Sequence, residues 1–142
     1  MADRVIRTAD SDADIERCFP VMAQLRPHLE RVAFVETVRR QAEGGFVLAF
    51  VEVDGGIEAV AGFRLIDNLV GGRVLYVDDL VTDASARSRG HGKALLDWLA
   101  ERARGAGCQF LELDSGVQRF DAHRFYFVNR MHISSYHFRL PL

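Results

Sequence analysis

One stretch leaves the rest of the chain little freedom. Leu75-Tyr76-Val77-Asp78-Asp79-Leu80-Val81-Thr82 is dense in strand-forming residues. After a short connection comes a basic turn with two glycines, Arg87-Ser88-Arg89-Gly90-His91-Gly92-Lys93. From Ala94 to Ala103 the sequence is apolar-periodic, and Leu95, Leu96, Leu99 and Ala103 can share one helix face. A strand that passes through a tight turn into a helix N-terminus presents backbone amides, and these attract an anion such as phosphate. Gly90 and Gly92 keep Cβ atoms out of the way. Arg87, Arg89 or Lys93 can add charge-assisted contacts. Basic residues at a helix N-terminus also oppose the helix dipole, a conflict that a bound anion relieves.

The 142 residues are enough for one domain with a real core, so a single domain spanning 1–142 is expected. The net charge of −2 gives the whole protein no general attraction for nucleic acid, and a basic recognition motif is missing. Cys18 and Cys108 lie far apart in apolar segments and read as buried thiols. No metal-ligand spacing joins them or the five histidines, so no metal is expected. Met1-Ala2-Asp3-Arg4 leads straight into a strand-like piece, and no apolar run reaches membrane length. The expectation is a cytoplasmic protein with no membrane or nucleic-acid partner.

In chain order, Arg4–Thr8 reads as a strand, and Asp10-Ser11-Asp12 supplies helix-capping oxygens. Ile15, Cys18, Phe19, Met22, Leu25 and Leu29 recur at helical spacing, with Pro20 and Pro27 expected to break or kink the run. Val32–Ala42 is a second helix, ended by Gly44-Gly45. Phe46–Val53 and Ile57–Ile66 are strands joined through Asp54-Gly55-Gly56, a hairpin signal. Ala59, Ala61 and Gly62 make the return strand small-sided, suited to close approach by a neighbour. The strand Arg73–Thr82, the helix Gly92–Arg104 and a strand over Cys108–Asp114 form a βαβ-like unit with parallel strands. Phe120–Val128 reads as a short helix. Ile133–Leu140, with Tyr136, Phe138 and Leu140 on one side, reads as a last strand completing the sheet antiparallel. The class is therefore mixed α/β (α+β), a central sheet flanked by helices.

The glycine turn lacks a Walker A pattern and the third glycine of a dinucleotide fingerprint. Arg87, Gly90 and Gly92 instead match the pattern Arg, two residues, Gly, one residue, Gly or Ala. With the strand before it and the helix after it, this resembles the acyl-coenzyme A site of the GCN5-related N-acetyltransferase (GNAT) family. Ala122, Phe125 and Tyr126 resemble a second region of that family, on the helix after the fifth strand. The family's Gly-Phe after this helix is Arg130-Met131 here, and an Asn three residues before the Ala is Arg119.

The resemblance implies a GNAT-like acyl-CoA N-acyltransferase fold, its sheet mostly antiparallel with one splayed parallel pair. It implies direct transfer from acetyl-coenzyme A to an amine, with Tyr126 as general acid to the departing thiolate. Backbone groups of Leu80, Val81 and Thr82 would meet the pantetheine, and Arg87, Ser88, Arg89, Gly90, His91, Gly92 and Lys93 the pyrophosphate. Asp78, Asp79, Glu112, His123 and His137 are candidate bases, with Asp79 and Glu112 placed beside Tyr126 in the catalytic set. Adjacent on a simple strand, Asp78 and Asp79 would face opposite sides. Glu30, Glu36 and Glu43 can select an amine or form a wet helix face. The expected acceptor is a small-molecule amine. Protein or peptide acetylation and a non-catalytic acyl-CoA-binding regulatory module stay open, and the apolar final strand, with the resemblance, allows a homodimer.

Overall fold

The computed structural model describes residues 3–142; Met1 and Ala2, the start of the segment read as leaderless, lie outside the described residues. One sheet carries β1 (Arg4–Thr8), β2 (Val47–Val53), β3 (Gly56–Asn68), β4 (Gly72–Thr82) and β5 (Phe110–Leu113), in that spatial order. The helices are α1 (Asp12–Leu25), α2 (Arg31–Glu43), α3 (His91–Gly105) and α4 (Phe120–Val128). Contacts divide the chain into two compact units, one ending at Glu112 and one running from Leu113 to Leu142.

In the first unit, β1 to β4 pair antiparallel in sequence order. The β2–β3 turn has positive φ at both Asp54 (51°) and Gly55 (79°), the primed geometry that matches strand twist. At the start of β5, the Gln109 N–H donates to the Arg73 carbonyl at 2.7 Å, and Arg73 stands at the start of β4. The two strands therefore run parallel, as a helical crossover requires. β5 has four residues against eleven in β4, so Leu80–Thr82 lie past the reach of that pairing.

Apolar spacing divides the core between the two sheet faces. Ile15, Cys18, Val21 and Met22 of α1 and Phe34 and Val38 of α2 pack with Phe46, Leu48, Phe50, Val60 and Val81. On α3, Leu95, Leu96, Leu99 and Ala103 are buried, and Trp98 meets Phe63 edge-on at 6.1 Å. Each fully buried side chain of this size contributes about 1.5–3 kcal/mol over exposure. Helix α1 starts at Ser11, whose side chain accepts from the Asp14 N–H. It runs through Pro20 without a break and ends at Leu25, before Pro27, so the expected interruption of the run falls at the second proline. The Pro20 ring removes one helical donor, while burial of Ile15, Cys18, Val21 and Met22 anchors both sides of it. Cys18 is fully buried and its thiol is pushed up to about 12, so it is inert; Cys108 is only half-buried.

In the second unit, α4 matches its expected bounds. The expected strand over Ile133–Leu140 is absent: residues 131–142 form no regular element. Ile133, Tyr136, Phe138 and Leu140 are exposed. A period of two marks a side of a possible strand, but a strand also needs paired backbone hydrogen bonds, and residues 133–140 form none among the described residues.

Candidate active site

The turn between β4 and α3 leads into a helix N-terminus whose backbone amides can meet acceptor oxygens. Asp83 caps a single 3-10 turn, Ala84–Ala86, by accepting from the Ser85 N–H. The backbone then takes positive φ at Ser88 (66°) and at Gly90 (83°), the N-cap of α3. Gly90 has no side chain to cap the helix, so the first-turn amides of α3 have no side-chain acceptor. Arg87, Ser88 and Arg89 are exposed beside them. Lys93 pairs with Asp97 at 2.8 Å on the same helix. His91 is buried, and Arg4 from β1 donates through Nε to its Nδ1 at 3.2 Å and through Nη2 to the Arg89 carbonyl at 3.0 Å. Burial, then the Arg4 charge, lowers the His91 pKa. The lowered pKa favours the neutral ring, so His91 brings an anion its backbone amide but no ring charge. Gly90→Val places a β-branched residue at positive φ and is expected to weaken acetyl-coenzyme A binding at least about tenfold in a titration. Unchanged binding would remove the turn from the site.

The acidic pair is arranged differently from a simple strand. Register shifts between Gly62 and Phe63: Gly62 stands opposite Asp79 and Phe63 opposite Val77, leaving Asp78 as an extra residue in β4. The bulge corrects the expectation of opposite faces. Arg26, at the end of α1, donates through Nε to the Asp79 carboxylate and through Nη2 to the Asp78 carbonyl, each at 2.9 Å. Arg64, whose guanidinium lies over the Phe46 ring, donates through Nε to the Asp78 carboxylate at 2.9 Å. Both carboxylates are thus held on the α1–α2 side of the sheet. Gly62 makes room for them: a Cβ there would sit 2.5 Å from Phe46 Cε1 and 2.6 Å from Asp79 Oδ2. Of the small residues Ala59, Ala61 and Gly62, Gly62 has this close neighbour. The Asp79 side chain is only 13% exposed. Burial raises its pKa above the ordinary carboxylate value, and Arg26 opposes that only in part.

Glu112 is half-buried near the end of β5. Glu30, Glu36 and Glu43 are exposed. In the second unit, Tyr126 on α4 is half-buried, and burial raises its phenol pKa, opposed by nearby Arg119. His123 Nε2 is bonded to the Gly116 carbonyl at 2.8 Å, and His137 lies 3.5 Å from Asp114. Ser115 Oγ is buried with no hydrogen-bond partner among the described residues.

Sequence reasoning missed Arg4, Arg26, Arg64 and Ser115. Arg26 and Asp79 are 53 residues apart, and Arg4 and His91 are 87 apart, so no local pattern joins them. Gly62 was the one visible signal, a glycine inside a strand.

Residues 12–128 match the profile of the acetyltransferase (GNAT) family. An uncharacterized N-acetyltransferase, YhdJ, of Bacillus subtilis is 39% identical over 128 residues, covering 87% of this chain and 89% of that protein. Glucosamine 6-phosphate N-acetyltransferase 1 of Oryza sativa is 38% identical over 105 residues, 68% of this chain and 64% of its own length. The solved structure of an aminoglycoside N-acetyltransferase, AAC(6')-Iy, in complex with CoA superposes with a TM-score of 0.87 over 100% of this chain and 96% of that one, at 15% identity. That last likeness is one of fold.

Proposed function

The chain belongs to the GNAT family and is an acetyltransferase; from that premise we propose that it moves the acetyl group of acetyl-coenzyme A directly to the primary amine of a small molecule. The observation that carries this reading is the uncapped amide turn at Gly90 on the same β4–α3 unit as the buried Asp79. The donor set suits coenzyme A. First-turn amides of α3, with Arg87 and Arg89, would hold the pyrophosphate, and backbone groups of Leu80–Thr82, past the end of β5, would meet the pantetheine.

When bound, acetyl-coenzyme A supplies an activated acyl group as its thioester. The residues supply proton handling and polarisation. Asp79, with its pKa raised by burial, accepts the proton of the incoming ammonium, directly or through water. A backbone amide of β4 past the end of β5 would polarise the thioester carbonyl. Tyr126, kept protonated by burial, would be the proton donor to the thiolate as coenzyme A leaves. The small-molecule assignment draws on the rice relative, whose name identifies an amino sugar phosphate as its substrate. Thiol release with an amine panel tests the activity, and Tyr126→Phe tests the acid.

The same reading includes a homodimer. Ile133, Tyr136, Phe138, Leu140 and Leu142 are exposed on one short tail, an apolar surface that a second copy would cover. Light scattering is expected to give twice the chain mass; a monomer across the working concentration range would overturn this.

A further inference from the structure

We infer that the acceptor is a short zwitterion, an amine bearing a carboxylate or phosphate a few bonds away, with Asp79 and Asp78 taking the ammonium and Arg64 and Arg26 the acid. The inference rests on the proposed reading of the Asp79 face as the acceptor site. Its basis is charge balance on the α1–α2 side of the bulge. Two carboxylates and two guanidiniums meet there one to one, each ion pair at 2.9 Å. The cluster is therefore neutral, and the acidic strand segment does not present a net negative surface.

The arginines still have donors to give. Arg64 is 37% exposed and, among the described residues, donates through Nε alone. Arg26 is 41% exposed and uses Nε and Nη2. A guanidinium has five N–H donors in a planar fork that fits carboxylate and phosphate edge-on. The Arg64 guanidinium also lies over the Phe46 ring, 5.9 Å from its centroid, a contact that favours its place on this face. A diamine or polyamine brought to this face would set its second ammonium against guanidinium charge. A simple amino alcohol would leave the guanidinium N–H groups facing an uncharged partner. An amine with an adjacent acid satisfies both halves of the cluster.

Four matched short-chain amines separate these cases: O-phosphoethanolamine, β-alanine, ethanolamine and 1,2-diaminoethane. Each is measured in two ways: thiol release with acetyl-coenzyme A, and titration calorimetry against the protein. The two acid-bearing amines are expected to exceed the other two by about tenfold or more in kcat/KM and in affinity, the size of one charge-assisted interaction. In Arg64→Gln the ratio of O-phosphoethanolamine to ethanolamine should fall about tenfold through KM, and Arg64→Lys should restore part of it. Equal or better use of ethanolamine or the diamine by the wild-type protein overturns the assignment, as does failure of every acid-bearing amine to bind. Selective binding of the acid-bearing amines with no thiol release from any amine leaves the assignment standing and overturns acetyl transfer instead. Thiol release that favours the diamine does the reverse.

Discussion

Asp79→Asn is expected to lower kcat about a hundredfold or more, the usual contribution of a positioned base. Asn keeps an oxygen for the Arg26 bond and removes only the proton-accepting charge. The pH dependence sharpens the test. Burial, the larger cause, raises the Asp79 pKa, so the base is lost to protonation at a higher pH than an ordinary carboxylate near 4. Activity of the wild-type protein should fall as pH drops through that raised value, and Asp79→Asn should lack this limb. Stability carries the opposite sign. A carboxyl whose pKa is raised on folding contributes stability below its unfolded pKa, and that contribution is lost as pH rises through the folded value. Unfolding curves should therefore show wild type losing stability relative to Asp79→Asn across that window. A variant with unchanged kcat and the same acidic limb would exclude Asp79 as the base.

Tyr126→Phe is the second large effect. The expected result is a fall in kcat of about a hundredfold, with the acetyl-coenzyme A dissociation constant changed by less than about threefold. Phe keeps the ring and deletes only the hydroxyl. Burial holds the phenol above its ordinary value near 10, so it stays protonated through the neutral range and is able to give a proton. The alkaline limb of the wild-type profile should accordingly lie above that ordinary value and vanish in the variant. Comparable losses in binding and in kcat would make Tyr126 a packing residue.

How much of this was legible in the chain depends on how local each signal is. The Asp54-Gly55 turn, the βαβ-like passage from β4 to β5 and the helix at Phe120–Val128 follow from neighbours within a few residues, and the structure has them. The glycine turn was legible for the same reason, with the helix starting at His91, one residue before the expected Gly92. The acidic pair was legible as residues but not as geometry. Strict alternation sends Asp78 and Asp79 to opposite faces, and only the register shift at Gly62/Phe63 brings them to one. Their arginine partners come from α1 and β3, distances in sequence that periodicity does not report. The tail shows the converse limit. Tyr136, Phe138 and Leu140 alternate as a strand would, yet alternation cannot supply the edge that a strand must pair with. Pro20 shows it again on a smaller scale: the lost donor was visible, the packing that outweighs it was not.

The most direct test of acetyl transfer is free thiol release from acetyl-coenzyme A across polyamines, amino acids, aminoglycosides, basic peptides and the four short-chain amines. One thiol should appear for each acetylated amine, with a small acid-bearing amine giving the highest kcat/KM. Acetyl-coenzyme A binding without thiol release above the amine-free rate, for every amine, would contradict the account and leave a binding module in its place.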